Sequence, residues 1–198
     1  MIRTIIQKQY WSILQLFYAN HNSPLHLRDI SRKIHLRESA TSRHLHVLET
    51  TNILKSHKEA NLKKYTLKKQ AIAEIFSLFD NEKLEALPLL RKNAINFYIN
   101  TLKEKPIFIL LFGSTAKGTF RDDSDIDVIT IFNQKTDTKE AIKYAEAQTG
   151  IKISEFQLTY NQFMTELKLE QDHVIQAGIE TGYPIYNQIY FYEVKDHG

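Results

Sequence analysis

A glycine, a serine and a lysine lie just after a strongly apolar segment, in a pattern that suits phosphate binding. Gly113 allows a ligand to approach the backbone closely, and Ser114 offers a hydroxyl that could cap a short helix. The free amides at the start of such a helix would face a phosphate. Lys117 is near enough along the chain to neutralise phosphate charge. This segment therefore predicts a phosphate-binding turn.

Two aspartates follow at the start of a second apolar segment. Asp125 and Asp127 are two residues apart, so at the start of a strand both side chains point to the same face. Ile126 and Val128 would then point to the core. Two carboxylates on one face form a hard oxygen site suited to Mg²⁺. A pair of such ions could hold the attacking and leaving oxygens of a phosphoryl displacement.

An acidic segment of this kind can also belong to an EF-hand loop or to a solvated turn. An EF-hand loop starting at Asp123 requires Gly at position 6 and Glu at position 12, but Val128 and Gln134 stand there, which excludes it. A solvated acidic turn is the simpler alternative. The Gly-Ser pair at a defined distance, between two apolar strands, favours the phosphate site.

The whole arrangement resembles the nucleotidyltransferase superfamily related to DNA polymerase β, and most closely its minimal members. The family pattern is Gly-Ser, ten residues, then Asp-x-Asp, and here the ten residues are Thr115–Ser124. The resemblance covers about 95–185. It implies that Gly113 and Ser114 bind the triphosphate and that Asp125 and Asp127 ligate Mg²⁺. The implied reaction transfers a nucleoside monophosphate from an NTP to an unknown acceptor, which could be a small molecule, a nucleic acid or a protein, and releases pyrophosphate.

The family also uses a third carboxylate on a later strand, and Glu155 is the candidate for this catalytic and metal-binding role. Many minimal members have Asp there, so the longer Glu is a departure from the pattern. The alternative for Glu155 is an ordinary exposed strand residue. This departure keeps a second hypothesis open, in which the domain senses nucleotide without turnover.

The charge of the chain divides unevenly along its length. Residues 1–69 hold 13 Lys and Arg against 4 Asp and Glu, whereas residues 70–198 hold 13 against 19. A basic first third joined to an acidic remainder predicts two modules with different partners.

The basic part has the pattern of a winged helix-turn-helix. Helices are predicted over 3–20, 27–34 and 38–50, with Asn52 as a left-handed stop, followed by a hairpin that turns at 58–61. The segment SATSRHLHVLETTNIL resembles the recognition helix of bacterial and archaeal winged-helix repressors. Predicted groove-facing residues are Ser39, Ser42, Arg43 and His46. Predicted phosphate contacts are Arg28, Arg32, Lys58, Lys63 and Lys64. The alternative is a winged helix that contacts protein only.

These observations predict an α+β protein with three parts. Residues 1–69 form the winged helix-turn-helix domain, 70–103 a helical connector and 104–198 a nucleotidyltransferase α/β domain with a mixed sheet. The 198 residues contain no Cys, which excludes disulfides and thiolate zinc sites, and no apolar run long enough to span a bilayer. We expect a cytoplasmic, homodimeric regulator of transcription that binds duplex DNA and NTP, has no membrane partner and uses Mg²⁺.

Overall fold

A computed structural model describes residues 7–197, the last two by backbone only, and divides the chain into two compact units. The first unit is Met1–Phe79 and the second is Asp80–Gly198. Residues 3–6 of the first predicted helix lie outside the described residues. No helix within residues 7–197 has both the length and the apolar character needed to cross a membrane.

The first unit contains short helices and a small antiparallel sheet. Their order and bounds are α1 (Lys8–Ala19), β1 (Leu25–His26), α2 (Leu27–Lys33), α3 (Glu38–Thr50), β2 (Leu54–Glu59) and β3 (Leu62–Leu67). The sheet has the order β1-β3-β2. Its hairpin pairs Leu54 with Leu67 and Glu59 with Leu62, so the turn is confined to Ala60 and Asn61. The predicted turn at 58–61 was two residues too long, because Lys58 and Glu59 still pair across the hairpin.

The apolar stripes of these helices are buried. Ile13 and Phe17 of α1, Ile30 of α2 and Leu45 of α3 are fully buried. Helix α3 ends at Thr50, and Asn52 adopts the predicted left-handed conformation with φ 62°. The helical stripe at i, i+3 and i+4 is therefore the feature that assembles this unit.

The segment predicted as a connector is shared between the two units. It forms α4 (Lys69–Glu85) and α5 (Leu89–Thr101), and Pro88 is the N-cap of α5. Phe79 closes the first unit, where its ring packs on Trp11 at 4.7 Å between centroids. Helix α5 instead belongs to the second unit, because Ala94, Ile95 and Tyr98 are buried in that unit's core.

The second unit is built on a mixed sheet of order β6-β5-β4-β7. Its further elements are β4 (Phe108–Phe112), α6 (Gly113–Lys117), β5 (Ile126–Phe132), α7 (Lys139–Thr149), β6 (Ile153–Thr159), α8 (Tyr160–Leu169), α9 (His173–Thr181), β7 (Tyr183–Tyr186) and α10 (Gln188–His197). Strands β5 and β6 are parallel, whereas β4 is antiparallel to both β5 and β7. The expected mixed sheet is therefore present.

Helices cover both faces of this sheet. One face packs against α5 and α7 through residues such as Val128 and Ile153, and the other against α8, α9 and α10 through residues such as Ile129 and Leu158. Continuous apolar runs such as Ile107–Phe112 are the expected sequence signature of strands buried on both faces.

The end of the chain combines a short strand with a helix. The sequence YPIYNQIYFYEV at 183–194 predicts a strand or an irregular tail, but only Tyr183–Tyr186 forms a strand and Gln188–His197 is a helix. Phe191 and Val194 of that helix are buried against the sheet. Tertiary packing thus overrides the β preference of the aromatic residues in this segment.

Candidate functional site

Gly113 lies directly against the Asp127 carboxylate. It follows β4 with φ 67°, and a Cβ placed on it would lie 2.2 Å from Oδ2 of Asp127. Phe112, the last residue of β4, pairs with Asp127 of the antiparallel neighbour β5. This register places the predicted phosphate turn and the second aspartate together, as the sequence pattern requires.

Ser114 and Lys117 lie in the short helix α6, which Gly113 begins. Ser114 is inside the first turn and half-buried, and the N-cap position belongs to Phe112 without a side-chain capping bond. The prediction that Ser114 caps this helix was therefore wrong, because the helix begins two residues earlier than that role requires. Lys117 is exposed at the end of the helix, where Gly118 closes it with φ 69°.

Asp125 and Asp127 are close enough to repel each other. Burial raises the pKa of Asp127, and the negative charge of Asp125 raises it further. Lys152, just before β6, places its Nζ 3.4 Å from Oδ2 of Asp125. Two repelling carboxylates, one of them already attracting an ammonium group, form a local site for positive charge.

Glu155 does not join the two aspartates. In the parallel register of β5 and β6, Asp127 pairs with Ser154 and Val128 pairs with Glu155. Side chains alternate along a strand, so Glu155 lies on the face of Val128, opposite Asp127. The residue of β6 on the aspartate face is Ser154, which is exposed.

Glu155 instead takes part in a polar network on the other face of the sheet. Tyr98 of α5 donates a hydrogen bond from its hydroxyl to Oε1 of Glu155 at 2.6 Å and lies 2.8 Å from the Thr130 hydroxyl. Thr138, at the N-cap of α7, donates to the other carboxylate oxygen. Burial raises the pKa of the Tyr98 phenol, and Glu155 contributes to the shift. These contacts describe a carboxylate that joins helices to the sheet.

Sequence reasoning missed a buried cation beside the site. Arg91 of α5 is only 3% exposed and hydrogen-bonds to Thr115 of α6 and to backbone carbonyls of the loop before Asp125. Burial lowers the pKa of Arg91, and Asp122 opposes that shift. Within α5, Arg91 stands at an inward position of the helical stripe, and this is the one signal that could have pointed to it.

The part of the chain that the structure describes has no group of three or more His, Asp or Glu residues able to hold a metal ion. The two aspartates nevertheless fit a divalent cation, since they supply hard oxygen donors and a cation would relieve their repulsion. The space beside the Asp127 carboxylate is open only because residue 113 has no side chain. A Cβ at this position would meet the carboxylate.

Residues 93–188, just under half of the chain, match the family described as Polymerase beta, Nucleotidyltransferase. This range includes β4, α6, β5 and β6, and therefore the Gly-Ser and Asp-x-Asp residues. Over this range the second unit is therefore similar to nucleotidyltransferases, and nucleotidyl transfer is the coarse activity that the match suggests. No curated protein matches the chain.

In the first unit, helix α3 exposes all four residues predicted to face a DNA groove: Ser39, Ser42, Arg43 and His46. Thr41, Leu45 and Leu48 occupy the buried stripe of the same helix. This division follows the 3.6-residue period, which separates an outward polar face from an inward apolar one.

The cations predicted to meet phosphates surround α3, and most of them have carboxylate partners. Arg28 lies 3.4 Å from Glu38 and Lys63 lies 2.9 Å from Glu49, while Arg32 pairs with Asp29 and Lys64 with Glu59. Lys58 is exposed on the hairpin. Phosphate binding at these positions would replace exposed ion pairs with carboxylates by ion pairs with phosphates. Little stability would be lost, because exposed ion pairs contribute little to it.

A groove of about 860 Å³ lies between α2, the start of α3 and the hairpin. Arg28, Arg32, Ser42 and Lys63 line it, and so do the acidic residues Asp29 and Glu38. Three residues predicted to contact phosphates and one predicted to face the bases therefore share one concave surface.

Proposed function

We propose that the second unit transfers a nucleoside monophosphate from an NTP to a hydroxyl-bearing acceptor, with Mg²⁺ as its cofactor. The observation that carries the proposal is the contact between Gly113 and Asp127, since it joins the triphosphate-binding residues to the Asp-x-Asp pair in a matching domain. Asp125 and Asp127 would hold the cation, which would neutralise charge on the phosphates.

The chain's own residues supply binding and orientation in this reaction. The acceptor oxygen forms a bond to the α-phosphorus, the bond to the β-phosphate oxygen breaks, and pyrophosphate leaves as the hydroxyl loses its proton to solvent. Gly113 lets the triphosphate approach the backbone, Ser114 offers a donor, and Lys117 adds positive charge at the end of α6. Positioning and charge stabilisation provide the rate enhancement in such reactions.

The test is incubation with each α-labelled NTP and Mg²⁺, with and without cell extract. Label should move to protein, nucleic acid or a small molecule with the intact protein and not with Asp127→Ala. Asp123→Ala is the matched control, because Asp123 is exposed in the same acidic segment and lies outside the Asp-x-Asp pair. Equal transfer by the Asp127→Ala variant would contradict the proposal.

A second candidate is a domain that binds Mg-NTP as a signal and does not turn it over. The position of Glu155 favours it, since the register of β5 and β6 puts Glu155 on the face of the sheet opposite Asp127. Ser154→Asp would add a carboxylate on that face, and we expect it to lower the Mg²⁺ concentration required for NTP binding severalfold. Glu155→Gln is the control and should leave that concentration unchanged. A large effect of Glu155→Gln on that Mg²⁺ concentration would mean that Glu155 takes part in cation binding.

We further propose that the first unit is a winged helix-turn-helix domain that binds duplex DNA as a homodimer and regulates transcription. The order of helix, strand, two helices and hairpin supports this, and so does the polar face of α3. Arg43→Ala should weaken binding at one base position by about 1–3 kcal/mol. Lys33→Ala removes an exposed charge outside the predicted contacts and should have little effect. A defined footprint is the readout, and its absence would favour a protein-binding role.

A further inference from the structure

A buried arginine joins the two segments that carry the proposed catalytic residues. Arg91 lies in the first turn of α5, and its guanidinium reaches α6 on one side and the loop before β5 on the other. Its exposed fraction of 3% is far below that of an ordinary surface arginine. A buried cation is retained only where hydrogen bonds compensate for its lost hydration.

The guanidinium makes a planar set of bonds that no other side chain can reproduce. Nη1 donates to the Thr115 hydroxyl at 2.9 Å, while Nη2 donates to the carbonyls of Arg121 and Ser124, both at 2.9 Å. The Phe120 ring covers the guanidinium at 4.1 Å. Arginine alone combines several fixed donors with a flat face that stacks on an aromatic ring.

These bonds extend to the first aspartate. The Thr115 hydroxyl, which accepts from Arg91, itself donates to the backbone carbonyl of Asp125 at 3.4 Å. Ser124, whose carbonyl Arg91 holds, precedes Asp125 directly, and its amide donates to the Arg121 carbonyl at 3.1 Å. These hydrogen bonds therefore hold the end of the loop at Asp125, the first residue of the Asp-x-Asp sequence.

We propose that Arg91 is a positioning residue that holds helix α6 and the Asp125 backbone in one register for nucleotidyl transfer. The inference rests on the proposed function of this site. Without the guanidinium, the Arg121 and Ser124 carbonyls lose a donor, and the Thr115 hydroxyl that donates to the Asp125 carbonyl loses the group that orients it. A displacement of about 1 Å in a reacting geometry costs on the order of a hundredfold in rate.

The principal test compares Arg91→Lys with the intact protein in transfer kinetics. The lysine keeps the positive charge and cannot bridge Thr115 and the two carbonyls at once. We expect kcat to fall about 10- to 100-fold and the half-saturating Mg²⁺ concentration to rise, because Asp125 is no longer fixed. Lys92→Met is the matched control, since Lys92 is the next residue of α5 and donates to Glu85, at 3.1 Å, outside the site. Unchanged kcat and unchanged Mg²⁺ dependence in Arg91→Lys would overturn the proposal.

Hydrogen exchange keeps the inference testable even without measurable turnover. Arg91→Lys should accelerate amide exchange within residues 113–125 and leave α7 unchanged. Unaltered exchange in 113–125 would overturn the positioning role, and so would faster exchange across the whole second unit. Absence of transfer by the intact protein would contradict the proposed function instead.

Chemical rescue of Arg91→Ala is a further test. Guanidinium at non-denaturing concentration should restore transfer, whereas sodium at equal ionic strength should not. Equal restoration by both salts would contradict the proposed role of the Arg91 hydrogen bonds.

Discussion

At the scale of single residues, Asp127 is in an unfavourable electrostatic state before any cation binds. Burial and the nearby Asp125 both raise its pKa above the ordinary value of 3.8. The folded chain thus binds the Asp127 proton more tightly than the unfolded chain does. Ionisation of Asp127 above the unfolded pKa therefore reduces the free energy of unfolding. Functional sites commonly contain carboxylates whose pKa is shifted in this way.

Asp127→Asn should abolish transfer and at the same time raise the unfolding temperature at neutral pH in the absence of divalent cations. The neutral amide removes both the desolvation of a charge and its repulsion with Asp125. The gain should shrink as the pH falls through the raised pKa of the folded aspartate towards 3.8, and it should be absent at lower pH, where Asp127 is protonated in both states. Thermal unfolding followed by circular dichroism measures this, with the exposed Asp123→Asn as control. A lower unfolding temperature for Asp127→Asn in metal-free buffer would contradict the argument.

At the scale of elements, helix α6 is bounded by two glycines with the same backbone conformation and different surroundings. Gly113 and Gly118 have φ values of 67° and 69°. A Cβ on Gly113 would meet Asp127, whereas a Cβ on Gly118 would have no atom within 4 Å. The two positions therefore separate backbone strain from obstruction of the site.

Gly113→Ala should eliminate transfer, while Gly118→Ala should retain most of it. Both variants should lose about 1–2 kcal/mol of stability, because alanine is strained in the left-handed region. Only at residue 113 does the added methyl group displace the Asp127 carboxylate. Transfer kinetics together with denaturant unfolding distinguish the two effects. Comparable loss of transfer in both variants would mean that strain alone, and not contact with Asp127, makes residue 113 sensitive.

The hairpin of the first unit is joined to α3 through Glu49. Its carboxylate, with 21% of the side chain exposed, accepts hydrogen bonds from Lys63 at 2.9 Å and from Ser56. Burial alone would raise the pKa of Glu49, but these hydrogen bonds outweigh burial and lower it. The contribution of Glu49 to stability is therefore present above pH 4.5 and lost as the pH falls through the folded value.

Glu49→Gln should reduce the stability of the first unit at pH 7 by about 1 kcal/mol. The difference from the intact protein should begin to shrink as the pH falls below 4.5 and should vanish below the lowered pKa of the folded state, where the native carboxylate is also protonated. Denaturant unfolding across this range is the measurement. Glu59→Gln, which breaks the more exposed pair with Lys64 at the end of the hairpin, should have a smaller effect. An effect of Glu49→Gln that does not vary with pH would exclude its charge as the cause.

At the scale of the whole molecule, the two units carry opposite charge and, in our proposal, separate partners. Residues 1–69 are basic and residues 70–198 are acidic. Positive charge favours association with the phosphate backbone of DNA, whereas an acidic surface does not.

The two proposed activities should respond to different substitutions. Asp127→Ala should abolish nucleotidyl transfer and leave DNA affinity unchanged, while Arg43→Ala should do the reverse. With five predicted phosphate contacts per protomer, and therefore ten in the proposed homodimer, the logarithm of DNA affinity should fall with the logarithm of salt concentration at a slope of about −9. Fluorescence anisotropy on duplex DNA measures this slope. A shallow slope would contradict a phosphate-binding role for these cations.

Local sequence patterns were sufficient to predict most of the helices and strands. The continuous apolar run IDVITIF coincides with β5, and the helix predicted over 38–50 coincides with α3, because both patterns depend on neighbouring residues alone. The same locality explains why Gly113 and Asp127 could be paired in advance: a strand, a turn and an adjacent strand bring them together over a short stretch of chain.

The surroundings of Glu155 and Arg91 depend instead on packing between segments that are distant along the chain. Whether Glu155 or Ser154 lies beside Asp127 depends on the register of two parallel strands, and a shift of one residue reverses the faces. Arg91 is 24 residues from Thr115 and 33 from Ser124, so its bonds have no trace in local periodicity. The residue types therefore indicate which chemistry is possible, while strand register and burial determine which side chains meet, because both arise from contacts between segments distant along the chain.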